Sequence, residues 1–206
     1  NREKALLSDI FNAARSWGYT NALNPCAGVK GFKETGRERY IEDAEFRAVW
    51  ECAHFTVQDA MDLAYYTGQR PADVLRMKRS DIRDGALSVT QGKTGKKMRI
   101  RIEGNLAAVI ERINARSRRA IGLSLIQDED GQPLSYTTLR SRFDAARLAA
   151  GVTFQFRDIR AKAATDIPDL GDAQRLLGHK RRTMTEHYAG RRRGQLVDAV
   201  SRDIEE

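Results

Sequence analysis

The stretch ALSVTQGKTGKKMRIRI, residues 86–102, is where the hydrophobic pattern of this chain changes its period. Leu87 and Val89 alternate with polar residues before QGKTGK, and the run MRIRI alternates in the same way after it. A period of two is the pattern of a strand with one buried face. The stretch therefore predicts a two-stranded antiparallel hairpin with QGKTGK at its tip, apolar on one face and cationic on the other.

Helical periodicity surrounds the hairpin on both sides. Apolar residues recur at i, i+3 and i+4, as in Val57, Ala60, Met61 and Ala64. The predicted helices span residues 43–54, 57–66, 71–82 (PADVLRMKRSDI), 105–119, 136–150, 157–166, 171–178, 182–188 and 195–206 (QLVDAVSRDIEE). The predicted fold class is α+β, mainly α-helical, with one small antiparallel sheet.

The first 40 residues have a different character. Residues 1–17 predict an amphipathic helix, and GYTNALNPCAGVKGFKETGRERY after it holds four glycines and no clear period. We interpret residues 1–36 as the end of an upstream domain plus a linker, and residues 37–206 as the main domain. A chain that begins at Asn1 rather than at a methionine fits a piece of a longer protein.

Composition narrows the class of partner and the compartment. The net charge of +8 favours an anionic partner, most often nucleic acid. Two cysteines without a CxxC spacing and three histidines argue against a zinc site and predict reduced thiols. Because no apolar run reaches about 18 residues and no secretory signal is visible, we expect a cytoplasmic protein without a membrane span.

Cleaving a phosphodiester without a metal needs a nucleophile, fixed positive charge on the non-bridging oxygens, and an acid for the leaving oxygen. Arginine suits the second task, since it stays charged and binds phosphate through two N–H groups. A tyrosine can be the nucleophile if nearby cations favour its phenolate. The candidates are Arg70 in TGQRP, Lys93 at the hairpin tip, Arg157 and Arg160 at i, i+3 in FRDIR, His179 in LLGH, and Tyr188 nine residues later.

Five short boxes, TGQR, GKTG, RDIR, LLGH and HY, follow one another in this order. Together they resemble the catalytic domain of the tyrosine recombinase, or phage integrase, family. That family has a first arginine box, a hairpin lysine, an H-x-x-R box, an LGH box and a tyrosine nine residues past the last histidine. The resemblance covers about residues 37–193, and the N-terminal helix and linker resemble the end of the family's core-binding domain.

The resemblance implies a site-specific DNA recombinase with a tyrosine recombinase catalytic fold. Tyr188 would attack a DNA phosphate and form a 3′-phosphotyrosyl link. Arg70 and Arg160 would hold the non-bridging oxygens, His179 would add a hydrogen bond, and Lys93 would protonate the leaving 5′ oxygen. No metal or other cofactor is implied, because the phosphotyrosine keeps the phosphoester energy.

The family likeness also implies partners. These are double-stranded DNA and, on it, a homotetramer in which C-terminal segments such as residues 195–206 dock between protomers. Accessory DNA-bending proteins are a further expectation. The GRRRG run after Tyr188 and the unusual RDIR box favour a phage or island integrase over a chromosome-dimer resolver.

One position departs from the family pattern. The H-x-x-R box reads RDIR, so Arg157 stands where the family has a histidine. An arginine can bind phosphate but cannot readily take up a proton at neutral pH. This departure supports a rival function, a non-catalytic DNA-binding protein of the same fold. A second rival, a type IB topoisomerase-like enzyme, has similar chemistry, but the LLGH box and the compact size favour a recombinase.

Each candidate residue also has a purely structural interpretation. Arg70 could be an ordinary residue at a helix start, and Lys93 a solvated lysine at a hairpin tip. Arg157 and Arg160 could form an exposed basic face or pair with Asp158 and Asp166. His179 could cap a helix or lie in the core, and Tyr188 could be a half-buried core tyrosine. No role is assigned to His187.

Overall fold

The computed structural model describes residues 1–34, 39–116 and 123–193, with side chains described as far as Tyr188. The chain forms two compact units, Asn1–Arg37 and Glu38–Glu206. The predicted tail helix at 195–206, Arg118 and Arg119 lie outside the described residues. Among the helices that are described, none is long and apolar enough to cross a lipid bilayer.

The first unit is one helix with irregular chain beside it. Helix α1 runs from Arg2 to Ser16, as its periodicity predicts. None of the residues of α1 is buried, and Ile10 on its apolar stripe is 57% exposed. The Asn24 side chain donates to Ser8 Oγ at 2.9 Å and to Asn12 Oδ1 at 2.9 Å, so it fastens the following segment to α1.

The second unit is mainly helical, which confirms the predicted fold class. Most predicted helices are present, with ends shifted by a few residues. The helices are α2 Asp43–Cys52, α3 Phe55–Thr67, α4 Pro71–Val74, α5 Gly104–Arg116, α6 Tyr136–Ala149, α7 Ile159–Asp166, α8 Leu170–Leu177 and α9 Arg182–Arg193. A 3₁₀ turn, Phe156–Asp158, precedes α7, so the predicted helix at 157–166 begins with a tighter turn.

The sheet has three strands, not the two that were predicted. β2 Ala86–Thr90 and β3 Lys97–Arg101 form the predicted antiparallel hairpin, with Leu87 opposite Ile100 and Val89 opposite Met98. β1, Ile82–Arg83, pairs with the other edge of β2. Two residues are too few to show a period of two, and for that reason the pattern missed β1.

The helix predicted over PADVLRMKRSDI ends early. It has only four residues, because the backbone beyond it pairs with a distant segment instead. Met77 O accepts from Leu125 N at 2.9 Å, and Arg79 N donates to Leu123 O at 2.8 Å. A 3₁₀ turn, Arg79–Asp81, leads from there into β1.

The hydrophobic core lies where the helix stripes and the apolar sheet face meet. Val57, Ala60, Met61 and Ala64 of α3 are at most 1% exposed, which confirms this predicted stripe. Leu87 and Val89 contribute the sheet side. Because α3 is buried over most of its length, its C-terminal end is held firmly, and the chain enters the TGQR turn from there.

Candidate active site

Two helices end close together, and both ends are glycines with left-handed backbone. α3 ends at Gly68 with φ +62°, and α8 ends at Gly178 with φ +68°. Only glycine adopts this conformation without strain. A Cβ at Gly178 would lie 2.6 Å from Met98 Cε and 3.1 Å from Gln91 Nε2, so a side chain here would displace Met98 and crowd Gln91. These two ends are the TGQR and LLGH boxes, and they position Arg70 and His179.

Arg160 lies between these helix ends. Only 3% of it is exposed. Its guanidinium donates to Gly68 O and, at 2.7 Å, to Leu177 O. Carbonyls at a helix C-terminus carry partial negative charge, so they stabilise a buried cation. Burial and, next, the charge of Arg70 lower the pKa of Arg160 to about 10, which leaves it cationic at neutral pH.

Arg70 supplies a second cation to the same place. It is the residue before α4, and its side chain is 28% exposed. Within the described part of the chain, neither Arg70 Nη1 nor Arg160 Nε has a hydrogen-bond partner. Arg70 is close enough to lower the pKa of Arg160, and each arginine has a buried N–H that makes no hydrogen bond among the described residues, so the two are suited to bind a phosphate group.

His179 has a fixed tautomer and is neutral. Arg160 Nη2 lies 3.3 Å from Nε2, and Thr185 Oγ1 lies 3.0 Å from Nδ1. An arginine cannot accept a hydrogen bond, so Nε2 is the acceptor and Nδ1 carries the proton. Burial, followed by the charges of Arg160, Arg70 and Lys96, lowers the pKa of His179 to about 4.

Tyr188 lies beside this cluster on α9. Its ring centroid is 5.4 Å from that of His179. Its backbone oxygen accepts from Thr165 Oγ1 at 3.2 Å, which ties α9 to α7, the helix that carries Arg160. Tyr188 also contributes to the ionisation of Arg160. The phenol therefore shares one electrostatic environment with His179 and the buried arginine.

Helix α7 is held in place by a buried lysine. The Lys162 side chain is only 2% exposed and forms ion pairs with Asp43 and, at 3.0 Å, with Asp166. Its ammonium also lies 4.9 Å from the centre of the Tyr40 ring. Burial alone would lower the pKa of Lys162, but the hydrogen bonds to Asp43 and Asp166 and the negative charge of Asp166 together raise it. These contacts hold α7 in place, and Arg160 lies two residues earlier on the same helix.

Lys93 and Arg157 lie at the surface. Lys93 is exposed in the turn between β2 and β3, and Arg157 is exposed in the 3₁₀ turn before α7. Arg157 and Arg160 therefore differ sharply in burial, although they are three residues apart. The interpretation of Arg160 as part of an exposed basic face is wrong. The structure brings together Arg70, Arg160, His179 and Tyr188, and leaves Lys93 and Arg157 solvated.

Two further residues belong near this site and were missed in the sequence. Asp73 is 4% exposed, lies 3.9 Å from Arg70, and accepts from Gly92 N at 2.9 Å and from Arg76. It thus links the Arg70 helix to the hairpin tip, and its spacing of three from Arg70 was the available signal. Lys96, not Lys93, is the hairpin cation that affects His179.

The family model and the similar proteins of known identity agree with each other. The family model described as "Phage integrase family" matches residues 41–193. The integrase of Escherichia phage HK022 is 32% identical over a match that covers 97% of this chain and 60% of that protein. The chain thus spans about three fifths of the length of this relative.

Solved structures agree in fold. A crystal structure of a lambda integrase(75-356) dimer bound to a COC′ core site has a TM-score of 0.80 and 30% identity, covering 96% of this chain and 75% of that one. A lambda integrase tetramer bound to a Holliday junction has a TM-score of 0.79 and 29% identity, covering 96% and 60%. The chain belongs to the phage integrase family.

Proposed function

We propose that this chain is the catalytic part of a tyrosine-type site-specific DNA recombinase that cleaves and rejoins double-stranded DNA for integration or excision of a mobile element. The observation that carries the proposal is the position of Arg160. It is a buried cation held by two helix C-termini, with Arg70, His179 and Tyr188 around it. This arrangement fits a phosphate and a nucleophile that attacks it.

The cleavage step exchanges one phosphoester for another. The phenol oxygen of Tyr188 bonds to phosphorus while the bond from phosphorus to the 5′ oxygen breaks. The phenolic proton leaves to water, because Arg157 cannot accept it at neutral pH. The Lys93 ammonium gives a proton to the 5′ oxygen, and the 5′ strand leaves as a hydroxyl. Rejoining reverses these steps, with the 5′ hydroxyl of a partner duplex as the attacking group.

The surrounding residues stabilise charge on the phosphate. As the phosphorus becomes five-coordinate, negative charge grows on its non-bridging oxygens, and Arg70 and Arg160 offer N–H groups to them. Neutral His179 keeps its proton on Nδ1, and the hydrogen bond from Nδ1 to Thr185 Oγ1 fixes the orientation of the ring. Arg157 adds positive charge at the edge of the pocket. No cofactor is needed, since the phosphotyrosyl bond stores the energy for rejoining.

The partners that we propose follow from the relatives. Lambda integrase has been solved as a dimer bound to a core site and as a tetramer bound to a Holliday junction. By similarity, we propose that this chain binds double-stranded DNA and assembles as a tetramer on it, with residues 195–206 docking between protomers. We also propose that residues 1–36 end an upstream DNA-binding domain, that DNA-bending proteins assist, and that the protein works in the bacterial cytoplasm.

A non-catalytic DNA-binding protein is the second candidate. The exposed Arg157 favours it, because a site that lacks the family histidine has lost one proton acceptor. Such a protein would bind an attachment site without forming a covalent bond. The type IB topoisomerase alternative would instead relax a single duplex without exchanging strands, so product topology separates it from a recombinase.

Covalent adduct formation tests the proposal. The full-length protein would be incubated with a nicked suicide DNA duplex that carries the attachment core of its own element, and adducts would be resolved on a denaturing gel. We expect an adduct that disappears in Tyr188→Phe and persists in Tyr136→Phe, a matched change at an exposed tyrosine of α6. Tight binding with no adduct would favour the non-catalytic protein.

A further inference from the structure

A pair of buried glutamines joins three of the boxes. Gln69 directly precedes Arg70, and Gln91 lies two residues before Lys93. Gln91 Nε2 donates to Gln69 Oε1 at 2.9 Å and to Leu177 O at 3.0 Å. Gln69 Nε2 donates to Thr67 O at 2.8 Å and to Leu176 O at 3.2 Å. The TGQR turn, the hairpin tip and the LLGH turn therefore meet through two side-chain amides.

The burial of the pair shows that these bonds fix its geometry. Gln69 is 0% exposed and Gln91 is 1% exposed, so water does not compete for their amide groups. Gly178 lies over them, since a Cβ there would be 3.1 Å from Gln91 Nε2. A buried amide is favourable only while its hydrogen bonds are made, so each box restrains the other two.

The hairpin tip is held from Gln91 outward. The Gln91 side chain also accepts from Thr94 Oγ1 at 2.8 Å, across the turn that contains Lys93. The backbone of Gln91 donates to Lys96 O at 2.9 Å and accepts from Gly95 N at 2.8 Å. The exposed Lys93 thus lies in a turn that begins at Gln91, and Gln91 is fixed by its hydrogen bonds to Gln69 and Leu177 O.

We propose that the Gln69–Gln91 pair is a positioning device that sets Lys93 against the phosphate held by Arg70 and Arg160; this rests on the proposed function. An anchored base limits where the lysine ammonium can reach, and proton donation falls steeply when the donor is misplaced. Both side chains are buried, so we expect the pair to act from beneath the surface that would face DNA. It acts through Lys93, at the base of its turn.

Sulfur substitution in the DNA isolates this role. A 5′-bridging phosphorothiolate leaves as a thiolate, whose conjugate thiol has a pKa of about 8.5, so departure needs no proton donor. The variants are Gln91→Met, which keeps length and packing without the amide, and Lys93→Ala. Gln127→Met is the matched control, because Gln127 is a buried glutamine (8% exposed) in the segment between α5 and α6.

Single-turnover adduct formation would be measured on oxygen and sulfur substrates. On the oxygen substrate we expect Gln91→Met to be slower than wild type by about tenfold or more, and Lys93→Ala by about a hundredfold or more. On the sulfur substrate both should come within about threefold of wild type. Adding Gln91→Met to Lys93→Ala should cause no further loss, because both act on one step.

Several outcomes overturn the proposal. If Gln91→Met stays slow on the sulfur substrate, the pair supports phosphate binding or the fold instead of Lys93. A normal rate on the oxygen substrate also contradicts it. A wild-type protein that binds DNA but forms no adduct on either substrate overturns the proposed function and this role with it.

Hydrogen exchange gives a readout that needs no cleavage. Gln91→Met should speed amide exchange in residues 92–96 by about fivefold or more, and Gln127→Met should not change it there. Thermal unfolding of the two variants checks that both are folded. Unchanged exchange at the tip in folded Gln91→Met would show that the amide does not hold the hairpin, and the proposal would fail even if cleavage slowed.

Discussion

Arg160 Nη2 and Gln91 Nε2 donate to the same oxygen, the carbonyl of Leu177, at 2.7 and 3.0 Å. This carbonyl lies at the C-terminal end of α8, two residues before His179. One backbone atom thus joins Arg160, the hairpin and the turn that carries His179.

Arg160→Lys should slow cleavage strongly although it keeps the charge. A lysine ammonium cannot reach both Gly68 O and Leu177 O and also present an N–H to phosphate. We expect adduct formation to fall by about a hundredfold or more and unfolding free energy to fall by about 1–3 kcal/mol, since at least one of the hydrogen bonds from Arg160 to Gly68 O and Leu177 O is lost. Single-turnover cleavage and chemical denaturation measure the two effects. Arg157→Lys, at an exposed position, should stay within about 0.5 kcal/mol of wild type.

His179 should make stability depend on pH. Its pKa is about 4 in the folded protein and 6.5 ordinarily, so below pH 6.5 the unfolded chain binds a proton that the folded chain refuses. Unfolding free energy is therefore full above pH 6.5, falls as the pH drops towards 4, and levels off below it. Because the ring is partly solvated, we expect a loss of about 1–2 kcal/mol rather than the full value.

The measurement is urea denaturation at pH 7 and at pH 4.5 for wild type, His179→Gln and His187→Gln. The difference between the two pH values should be smaller in His179→Gln by about 1–2 kcal/mol. His187→Gln controls for the loss of an imidazole at an exposed position of α9. An equal pH effect in all three proteins would show that His179 does not resist protonation.

Much of the fold could be predicted because it depends on hydrophobic patterns that repeat within single short stretches of sequence. The stripe of α3 and the alternation of the hairpin each lie within one stretch, and both are confirmed. The extra strand and the short α4 could not be read in this way. They depend on pairing with distant backbone, as in Met77 O with Leu125 N, which no local pattern records.

The site residues also fall into two groups, those that local motifs indicate and those that only the folded chain reveals. Arg70, Arg160, His179 and Tyr188 stand in short boxes, so the sequence could nominate them, and their proximity in the folded chain agrees with that nomination. The Gln69–Gln91 contact joins residues 22 positions apart through side chains that resemble ordinary polar residues. Only the folded chain shows that both are buried.

Arg157→His tests the departure from the family pattern. A histidine with a pKa near 6.5 at this position would offer a proton acceptor that arginine cannot. We expect a cleavage rate that rises through about pH 6 to 7.5, a step absent from the wild type and from Arg157→Lys. Stability should change by less than about 0.5 kcal/mol, because the position is exposed. If the pH profiles of the three proteins run parallel, a histidine at position 157 does not act as a proton acceptor in cleavage.

Gly178→Ala should damage fold and site together. The new Cβ would lie 2.6 Å from Met98 Cε and 3.1 Å from Gln91 Nε2, in a backbone conformation with φ +68°. Gly151→Ala is the matched control, since Gly151 has φ +64° and open space around its Cβ position. The control should cost about 1 kcal/mol of unfolding free energy, from backbone strain alone.

Gly178→Ala should cost about 1–3 kcal/mol more than this control, because overpacking is added to the same strain. It should also slow adduct formation by about tenfold or more, since the turn that carries His179 must move off the glutamine pair. Denaturation and single-turnover cleavage of the two variants, side by side, separate strain from crowding. Equal losses in both would mean that the turn relaxes freely, and that the close contact between Gly178 and the hairpin does not restrain the site.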